Sequence, residues 1–175
     1  MHKSEINNLM KDVQRQDEVA FENLFNETKK GVFSFLYTYV KDYYLAEDLV
    51  QETFIKVKLN AQNYKLGTNA SAWILQIAKN TAIDFLRKEK KTVDMEEVVI
   101  NQGEPNFDEK LVLHNALNNN LNGNERQIVL LHIVYGYKHR EISKILGIPV
   151  GTVLWKYNMS LKRLKSVLAE AEYEK

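Results

Sequence analysis

The stretch YKHREISKILGIPVGTVLWKYNMSLKRLK, from Tyr137 to Lys165, has the pattern of two helices joined by a tight turn. The first helix is predicted near residues 138–146, and Gly147 follows it at the position where a turn favours a left-handed backbone. Pro149 then begins a second helix near residues 150–170. The stretch therefore predicts a helix-turn-helix, whose second helix enters the DNA major groove while the first crosses the phosphate backbone.

The second helix of this motif has an apolar side and an outward side. Its apolar residues recur at helical spacing and predict the buried side: Val150, Val153, Tyr157, Leu161, Leu164 and Leu168. Between Arg126 and Lys165 the chain carries eight basic residues against one acid, which fits either a phosphate-facing surface or a solvated basic face. The residues predicted to approach DNA are Lys138, His139, Arg140, Thr152, Trp155, Met159, Lys162 and Arg163.

Helical patterns also dominate the rest of the chain. It has only two prolines and seven glycines, and apolar residues recur every three or four positions, so the chain is predicted to be all-α. Asn124 is the predicted N-cap of a helix that Gly136 ends. Helices are predicted near residues 17–41, 45–60, 70–90, 111–121 and 125–135, in addition to the two of the motif.

An acidic segment divides the helices into two groups. Residues 92–110 hold six acidic residues and one basic residue, include Gly103 and Pro105, and lack a sustained helical period. We therefore predict a flexible acidic linker at 92–110, between a domain at 1–91 and a second domain at 111–175.

The composition excludes several classes of protein. There is no cysteine, so disulfides and thiol-ligated metals are excluded, and no apolar run is long enough to span a bilayer. The four histidines are scattered, and no nucleophile motif or glycine-rich phosphate loop is present. We expect a cytoplasmic protein that is not an enzyme, does not insert into the membrane, and needs no metal or cofactor.

The segment AEDLVQETFIKVKL predicts a helix with two different faces. One face is an ordinary buried row: Ala46, Leu49, Val50, Thr53 and Val57. The opposite face mixes acids, an amide and two aliphatic residues: Asp48, Gln51, Glu52, Ile55 and Leu59. Aliphatic residues inside a polar face are typical of a protein-docking surface, although a solvated acidic face fits about equally well.

The segment NASAWILQIAKNTAIDFLRKEKK predicts a helix that carries an aromatic and amide stripe. Ile74, Ala78, Thr81 and Phe85 are predicted to be buried. The outward stripe is Trp73, Gln76, Asn80, Ile83 and Arg87, and lysines such as Lys79 surround it, while Tyr64 and Lys65 lie in the loop before the helix. A flat ring, amides and positive charge suit unstacked bases of a single strand, and the alternative is that Trp73 packs on a neighbouring helix.

Together, AEDLVQETF, AWILQIAKNTAIDFLRK and HREISKILGIPVGTV resemble the bacterial sigma factors of RNA polymerase, of the extracytoplasmic-function (ECF) type. The resemblance covers roughly residues 17–91 and 113–168. It implies two helical domains, called sigma-two and sigma-four, and a protein that directs promoter recognition and transcription initiation, in this type often for a stress or envelope regulon.

The resemblance also implies partners and sites. Asp48, Gln51 and Glu52, with Ile55, match positions that dock on the clamp helices of the polymerase β′ subunit, and the second domain is expected at the β flap. Promoter DNA is the second partner, and an anti-sigma factor is a third. The residues that match the part that captures the minus-ten element are the loop Tyr64 to Asn69, which includes Lys65, then Trp73, Gln76, Lys79, Asn80 and Arg87.

The helix from Val150 matches the part that recognises the minus-thirty-five element, with one departure. Where many members of the family carry charged residues after Gly-Thr-Val, this chain has the run Leu154, Trp155, Lys156, Tyr157, Asn158 and Met159. Apolar contact and groove shape then replace direct hydrogen bonding as the expected means of recognition. Two alternatives stay open: a helix-turn-helix regulator that binds duplex DNA alone, and a sigma-like interaction module without promoter activity.

Overall fold

The computed structural model describes residues 3–92 and 120–173, and within these ranges every regular element is helical, which confirms the all-α prediction. The chain divides into two compact units, Met1–Gly103 and Glu104–Lys175. The predicted linker beyond Thr92 and nearly all of the helix predicted near 111–121 lie outside the described residues. No helix in the described ranges has the length and apolar character needed to cross a membrane.

Within residues 3–92 the first unit has four helices, and each of the last three packs against the other two. The helices are α1 (Lys3–Val13), α2 (Glu18–Val40), α3 (Tyr43–Asn60) and α4 (Ala70–Thr92), with a single 3₁₀ turn at Ala61–Asn63 after α3. Helix α1 packs against α2 and α4. Side chains such as Leu24, Phe35 and Ile74 fill the space between the helices and are almost completely buried.

Short polar caps fix where α2 and α3 begin. Asp17 precedes α2 and accepts a hydrogen bond from the Ala20 amide at 3.0 Å, and Asp42 precedes α3 and accepts one from the Leu45 amide at 2.9 Å. Such caps satisfy amides that have no partner inside a helix. Only Lys41, in a left-handed conformation, and Asp42 separate α2 from α3, so the two helices form a tight pair.

Helix α1 is absent from the prediction based on the sequence. Its buried residues Ile6, Met10 and Val13 are spaced four and three apart, which is an amphipathic helical pattern. The signal was therefore present, but it spans three turns of a polar segment with only three apolar residues facing the core. The missed helix has a functional consequence, because its side chains hold the loop between α3 and α4.

In the second unit, the described residues 120–173 include three helices arranged around the predicted motif. Helix α5 (Gly123–Val129) continues into a π-helical turn (Leu130–Val134), and then come α6 (His139–Leu146) and α7 (Val150–Tyr173). Helix α7 packs against both α5 and α6. Gly136 and Gly147 both have positive φ, at 67° and 70°, which confirms the two helix ends predicted from these glycines.

The predicted N-cap of α5 is wrong. Asn122, not Asn124, caps the helix: its side chain accepts a hydrogen bond from the Glu125 amide, and the Glu125 carboxylate accepts one from the Asn122 amide, both at 3.1 Å. Both asparagines have a suitable residue three positions later. A carboxylate is a stronger acceptor at a helix N-terminus than the amide of Gln127, and Gln127 is buried instead.

Candidate docking and nucleic-acid surfaces

The outward face of α3 carries the predicted docking residues. The row predicted to be buried, which includes Leu49, Thr53 and Val57, lies in the core. The Thr53 hydroxyl donates to the Leu49 carbonyl at 2.6 Å, so the one polar side chain in that row is satisfied. On the opposite side, five residues are exposed, and we call them the α3 face: Asp48, Gln51, Glu52, Ile55 and Leu59.

The α3 face combines an apolar centre with a polar surround. Ile55 is 60% exposed and Leu59 76%, although both are large aliphatic residues. Glu52 forms an ion pair with Lys56 at 2.7 Å, one helical turn along. Exposed aliphatic side chains next to carboxylates and an amide are suited to burial against a protein partner with a basic rim.

The loop between α3 and α4 is held by two amide side chains, Asn7 on α1 and Gln14 directly after it. The Gln14 Nε2 donates to the carbonyls of Ala61 at 2.8 Å and Tyr64 at 2.7 Å. The Asn7 Oδ1 accepts from the Ala70 amide at 2.9 Å, at the first residue of α4. The Ala61 carbonyl also accepts from the Tyr64 amide, whereas the bonds to the Tyr64 carbonyl and the Ala70 amide come from these two side chains, so the shape of the loop depends on α1 and Gln14.

The structure corrects the prediction for Tyr64. This side chain is only 3% exposed, its hydroxyl donates to the Thr68 carbonyl at 2.8 Å, and its ring contacts Trp73 with 5.3 Å between ring centres. Tyr64 is therefore an internal anchor of the loop and is not presented to bases. Asn69 is used as a cap, since its Oδ1 accepts from the Ala72 amide at 3.1 Å.

The remaining residues of the predicted stripe lie on the surface of α4 and its loop. Lys65, Asn80 and Arg87 are exposed, and Trp73, Gln76 and Lys79 are half-buried. Of the residues predicted to be buried, Ile74, Ala78 and Thr81 are in the core, and Phe85 is half-buried. Trp73 packs on the ring of Tyr64 and is also partly exposed on the surface of α4. Its contact with unstacked bases stays a prediction.

The helix-turn-helix geometry is present in the second unit. The Ser143 hydroxyl donates to the Ile148 carbonyl at 2.6 Å and closes the turn at Gly147. Val153 is fully buried, and Ser160, which was not predicted to face the core, is buried as well, with its hydroxyl donating to the Lys156 carbonyl. Of the residues predicted to approach DNA, Thr152 and Lys156 are half-buried, and the exposed ones are Lys138, Arg140, Leu154, Trp155, Asn158, Met159, Lys162 and Arg163.

His139 was predicted to approach phosphates, and the structure places it half-buried beside two other rings. Its ring stacks on His132, with 4.3 Å between ring centres, and both rings meet Tyr157 edge to face. The His139 Nε2 is buried, with no hydrogen-bond partner among the described residues. Burial and the neighbouring His132 lower the pKa of His139 below its ordinary value of 6.5.

Arg163 was also predicted to bind phosphate and has another partner. Its Nη1 lies 2.8 Å from the carboxylate of Glu125, which is almost completely buried at the start of α5. The same carboxylate takes part in the cap of α5. The ion pair therefore joins α5 to α7, and Arg163 is positioned by the fold of the unit. In the described part of the chain, no group of three or more His, Asp or Glu residues could hold a metal ion.

Comparisons with known proteins relate these surfaces to one family. Residues 24–92 match the family described as Sigma-70 region 2, and residues 113–164 match Sigma-70, region 4. The RNA polymerase sigma factor CarQ of Myxococcus xanthus is 30% identical over 164 residues, which cover 89% of this chain and 92% of the relative. The chain belongs to the sigma-70 family. It is a sigma factor of the ECF type, like the ECF sigma factor SigW of Bacillus subtilis, which is 26% identical over 92% of this chain and 95% of that protein.

Solved structures have the same fold as this sigma factor. The structure of CnrH in complex with the cytosolic domain of CnrY matches 95% of this chain and 98% of that chain, with a TM-score of 0.71 and 17% identity. The sigma factor RpoE in complex with the anti-sigma factor NepR from Bartonella quintana matches 85% of this chain and 96% of that chain, with a TM-score of 0.69 and 23% identity. Sigma factors are not enzymes as a family.

The burial of His139 against the His132 ring predicts that the stability of the second unit of the sigma factor depends on pH. Because the pKa of His139 is lowered in the folded state, the unfolded chain takes up a proton first as the pH falls below about 6.5. We expect the free energy of unfolding of this unit to decrease between about pH 7.5 and about pH 5.5. Urea titrations at each pH, monitored through the NMR amide resonances of α6 and α7, would measure this decrease in the free energy of unfolding.

The control is His139→Phe, which keeps a flat ring against His132 but removes the titrating group. In this variant the decrease with acidity should be clearly smaller than in the parent. A decrease of the same size in both proteins would contradict the assignment to His139.

Proposed function

We propose that this sigma factor binds core RNA polymerase through the α3 face, at the β′ clamp helices, with its second domain at the β flap. The domains are proposed at 1–91 and 111–175, joined by a linker at 92–110. The observation that carries the proposal is the α3 face itself, in which Ile55 and Leu59 are exposed beside Asp48 and Gln51. No residue in the described ranges 3–92 and 120–173 covers these aliphatic side chains, whereas a docked partner would bury them.

Promoter DNA is the proposed second partner. Trp73, Gln76, Lys79, Asn80 and Arg87 on α4, with Lys65 in the loop, would hold unstacked bases of the minus-ten element. Lys138, Arg140 and the exposed residues of α7 would hold the minus-thirty-five element, with α7 in the major groove. The chain itself would catalyse no reaction. Its contribution would be promoter recognition and strand opening in the cytoplasm, for a stress or envelope regulon.

An anti-sigma factor is the proposed third partner. The exposed residues Ile55, Leu59 and Ile83 leave apolar surface that the free chain does not cover. The Bartonella quintana relative with the same fold is bound to an anti-sigma factor. A protein that covers the α3 face would exclude the polymerase from it, which would keep the sigma factor inactive.

Run-off transcription tests the proposed function. The template is a pool in which the region upstream of a transcribed tag is randomised, and core RNA polymerase comes from the bacterium that encodes the chain. Adding the chain should produce run-off RNA from a small set of templates that share two upstream elements, and the reaction without the chain should not.

Two other outcomes correspond to the alternative functions. A stand-alone helix-turn-helix regulator would select duplex DNA tightly in the absence of polymerase and would not start transcription. A sigma-like interaction module would bind core polymerase and yield no RNA from any template. Either result would contradict the proposed function.

A further inference from the structure

We propose that α7 recognises its promoter element by apolar contact with the 5-methyl groups of thymines, through Trp155 with Leu154 and Met159. This inference rests on the proposed function, in which α7 lies in the major groove of the minus-thirty-five element. It adds the chemical feature that is recognised: the methyl group that distinguishes thymine from cytosine on the major-groove edge. The three side chains are called the apolar patch of α7.

The apolar patch is exposed in the free protein. Trp155 is 61% exposed, Leu154 42% and Met159 39%. Trp155 and Met159 are one helical turn apart, and Leu154 adjoins Trp155, so the three form one continuous surface on the first three turns of α7. The core side of the same helix is occupied by Val153 and Ser160, which are completely buried. The patch therefore contributes little to the folding of the unit.

The groups next to the patch favour A·T base pairs over G·C pairs. The commonest specific contact to guanine is a bidentate arginine or lysine. Arg163, the one arginine of α7, is held by Glu125, and the exposed Lys162 lies beyond the patch, where we place it against phosphate. Asn158, exposed between Leu154 and Lys162, carries an amide that matches the major-groove edge of adenine. An apolar contact to a thymine methyl and an amide contact to the paired adenine would together recognise one base pair.

The positive charge around the patch indicates that DNA is the molecule that covers it. Lys138 and Arg140 precede it on the first helix of the motif and are exposed, and Lys162 and Lys165 follow it on α7 and are exposed too. The one acid between Arg126 and Lys165 is Glu141, whose carboxylate accepts a hydrogen bond from the Lys138 amide at the start of α6. An apolar centre between lysines fits a groove between two phosphate strands, whereas protein interfaces are depleted of lysine.

Gly151 supports close approach of the groove. A Cβ atom built at this position would meet nothing within 4 Å, and its φ is not positive, so neither packing nor backbone conformation requires a glycine here. Glycine weakens a helix, and its bare backbone is useful where another molecule comes close. It lies one turn before Trp155 on the same exposed side of α7.

The experiment replaces thymine by deoxyuracil, which removes the methyl group and leaves base pairing intact. The probe is a template selected in the run-off assay above, assembled so that deoxyuracil replaces thymine only in the upstream element, one position at a time. The full-length chain is used with core RNA polymerase at subsaturating concentration. Removing one methyl group that contacts the patch should lower the number of open complexes about fourfold.

Variants of the chain link the effect to the patch. Trp155→Ala should form fewer open complexes on the thymine template than the parent. Replacing thymine by deoxyuracil at the contacted position should then cause no further loss of open complexes. Met159→Ser takes the place of Trp155→Ala if that variant proves less stable. Ile133→Ala, which shortens another exposed aliphatic side chain of the same unit, should keep the full sensitivity.

The other outcomes overturn the inference. Selected templates without thymine in the upstream element, or no loss with deoxyuracil, would exclude recognition of methyl groups while leaving the sigma-factor function intact. An equal loss in the parent and in Trp155→Ala would assign the effect to DNA shape. No RNA from any template would be a failure of the proposed function itself, and this inference would fall with it.

Discussion

Ile55→Asp is expected to lower the affinity of the sigma factor for core RNA polymerase by about 100-fold or more. Ile55 lies at the centre of the α3 face, where truncation of a buried anchor typically costs about 2–4 kcal/mol, and an aspartate there would also bury a carboxylate without a partner. Each tenfold change in affinity corresponds to about 1.4 kcal/mol. Fluorescence anisotropy of a labelled chain titrated with core polymerase would measure the change.

The surrounding polar residues should contribute less than Ile55. Asp48→Ala and Gln51→Ala are each expected to weaken binding about tenfold, because hydrogen bonds to charged groups are worth about 1.5–3 kcal/mol and rim positions give less. All three substituted side chains are exposed, so the thermal unfolding of the first unit should be unchanged.

Ile133→Asp is the matched control. Ile133 is the same residue type, is 55% exposed, and belongs to the second unit, so it is not part of the α3 face. Its substitution introduces the same charge at nearly the same exposure and should leave polymerase affinity within about threefold of the parent. Equal losses for the two substitutions, or normal affinity for Ile55→Asp, would show that the α3 face is not the docking surface.

Glu125→Ala is expected to destabilise the second unit by about 3 kcal/mol. Its carboxylate is buried, accepts from the Asn122 amide, and pairs with Arg163 at 2.8 Å. Removing one partner of such a pair costs about 3–5 kcal/mol, and the lower end applies here because the Arg163 side chain is half-exposed. Since a whole domain is stable by only about 5–15 kcal/mol, recognition by α7 should suffer while polymerase binding through the first unit persists.

Glu141→Ala serves as the comparison that distinguishes the contribution of the Glu125 ion pair from that of a helix cap. Glu141 holds the same position in α6 that Glu125 holds in α5, and its carboxylate accepts from the Lys138 amide at 2.9 Å. It is half-buried, so its loss should cost only about 1 kcal/mol, the usual value for a helix cap. Urea unfolding of the second unit compares the two variants, and similar losses would mean that the pair with Arg163 adds no stability.

What the sequence predicts well in this protein is periodic and local. The two faces of α3 follow from the recurrence of Leu49, Thr53 and Val57, since a helix whose core row is apolar has its other face fixed by geometry. The same reasoning correctly placed Trp155 and Met159 on the surface of α7. The left-handed residues Gly136 and Gly147 were predictable because few other residues adopt positive φ at low cost.

What the sequence could not predict depends on partners that are distant along the chain. Arg163 pairs with Glu125, 38 positions away, and no local pattern distinguishes it from the neighbouring lysines. His139 was assigned to DNA for its charge, but the packing of Tyr157 and His132 against it decides its environment. Tyr64 is buried only because the loop folds back on Trp73.

The amide side chains of Asn7 on α1 and of Gln14 directly after it determine how parts of this protein can be exchanged with a relative. Asn7 is 63 positions from Ala70, and Gln14 is 50 positions from Tyr64, yet their hydrogen bonds set the path of the loop before α4. A chimaera that receives residues 61–70 alone would lack the donors and acceptors that shape this segment. Grafts intended to transfer promoter preference should therefore carry α1 together with the loop, as one inseparable module.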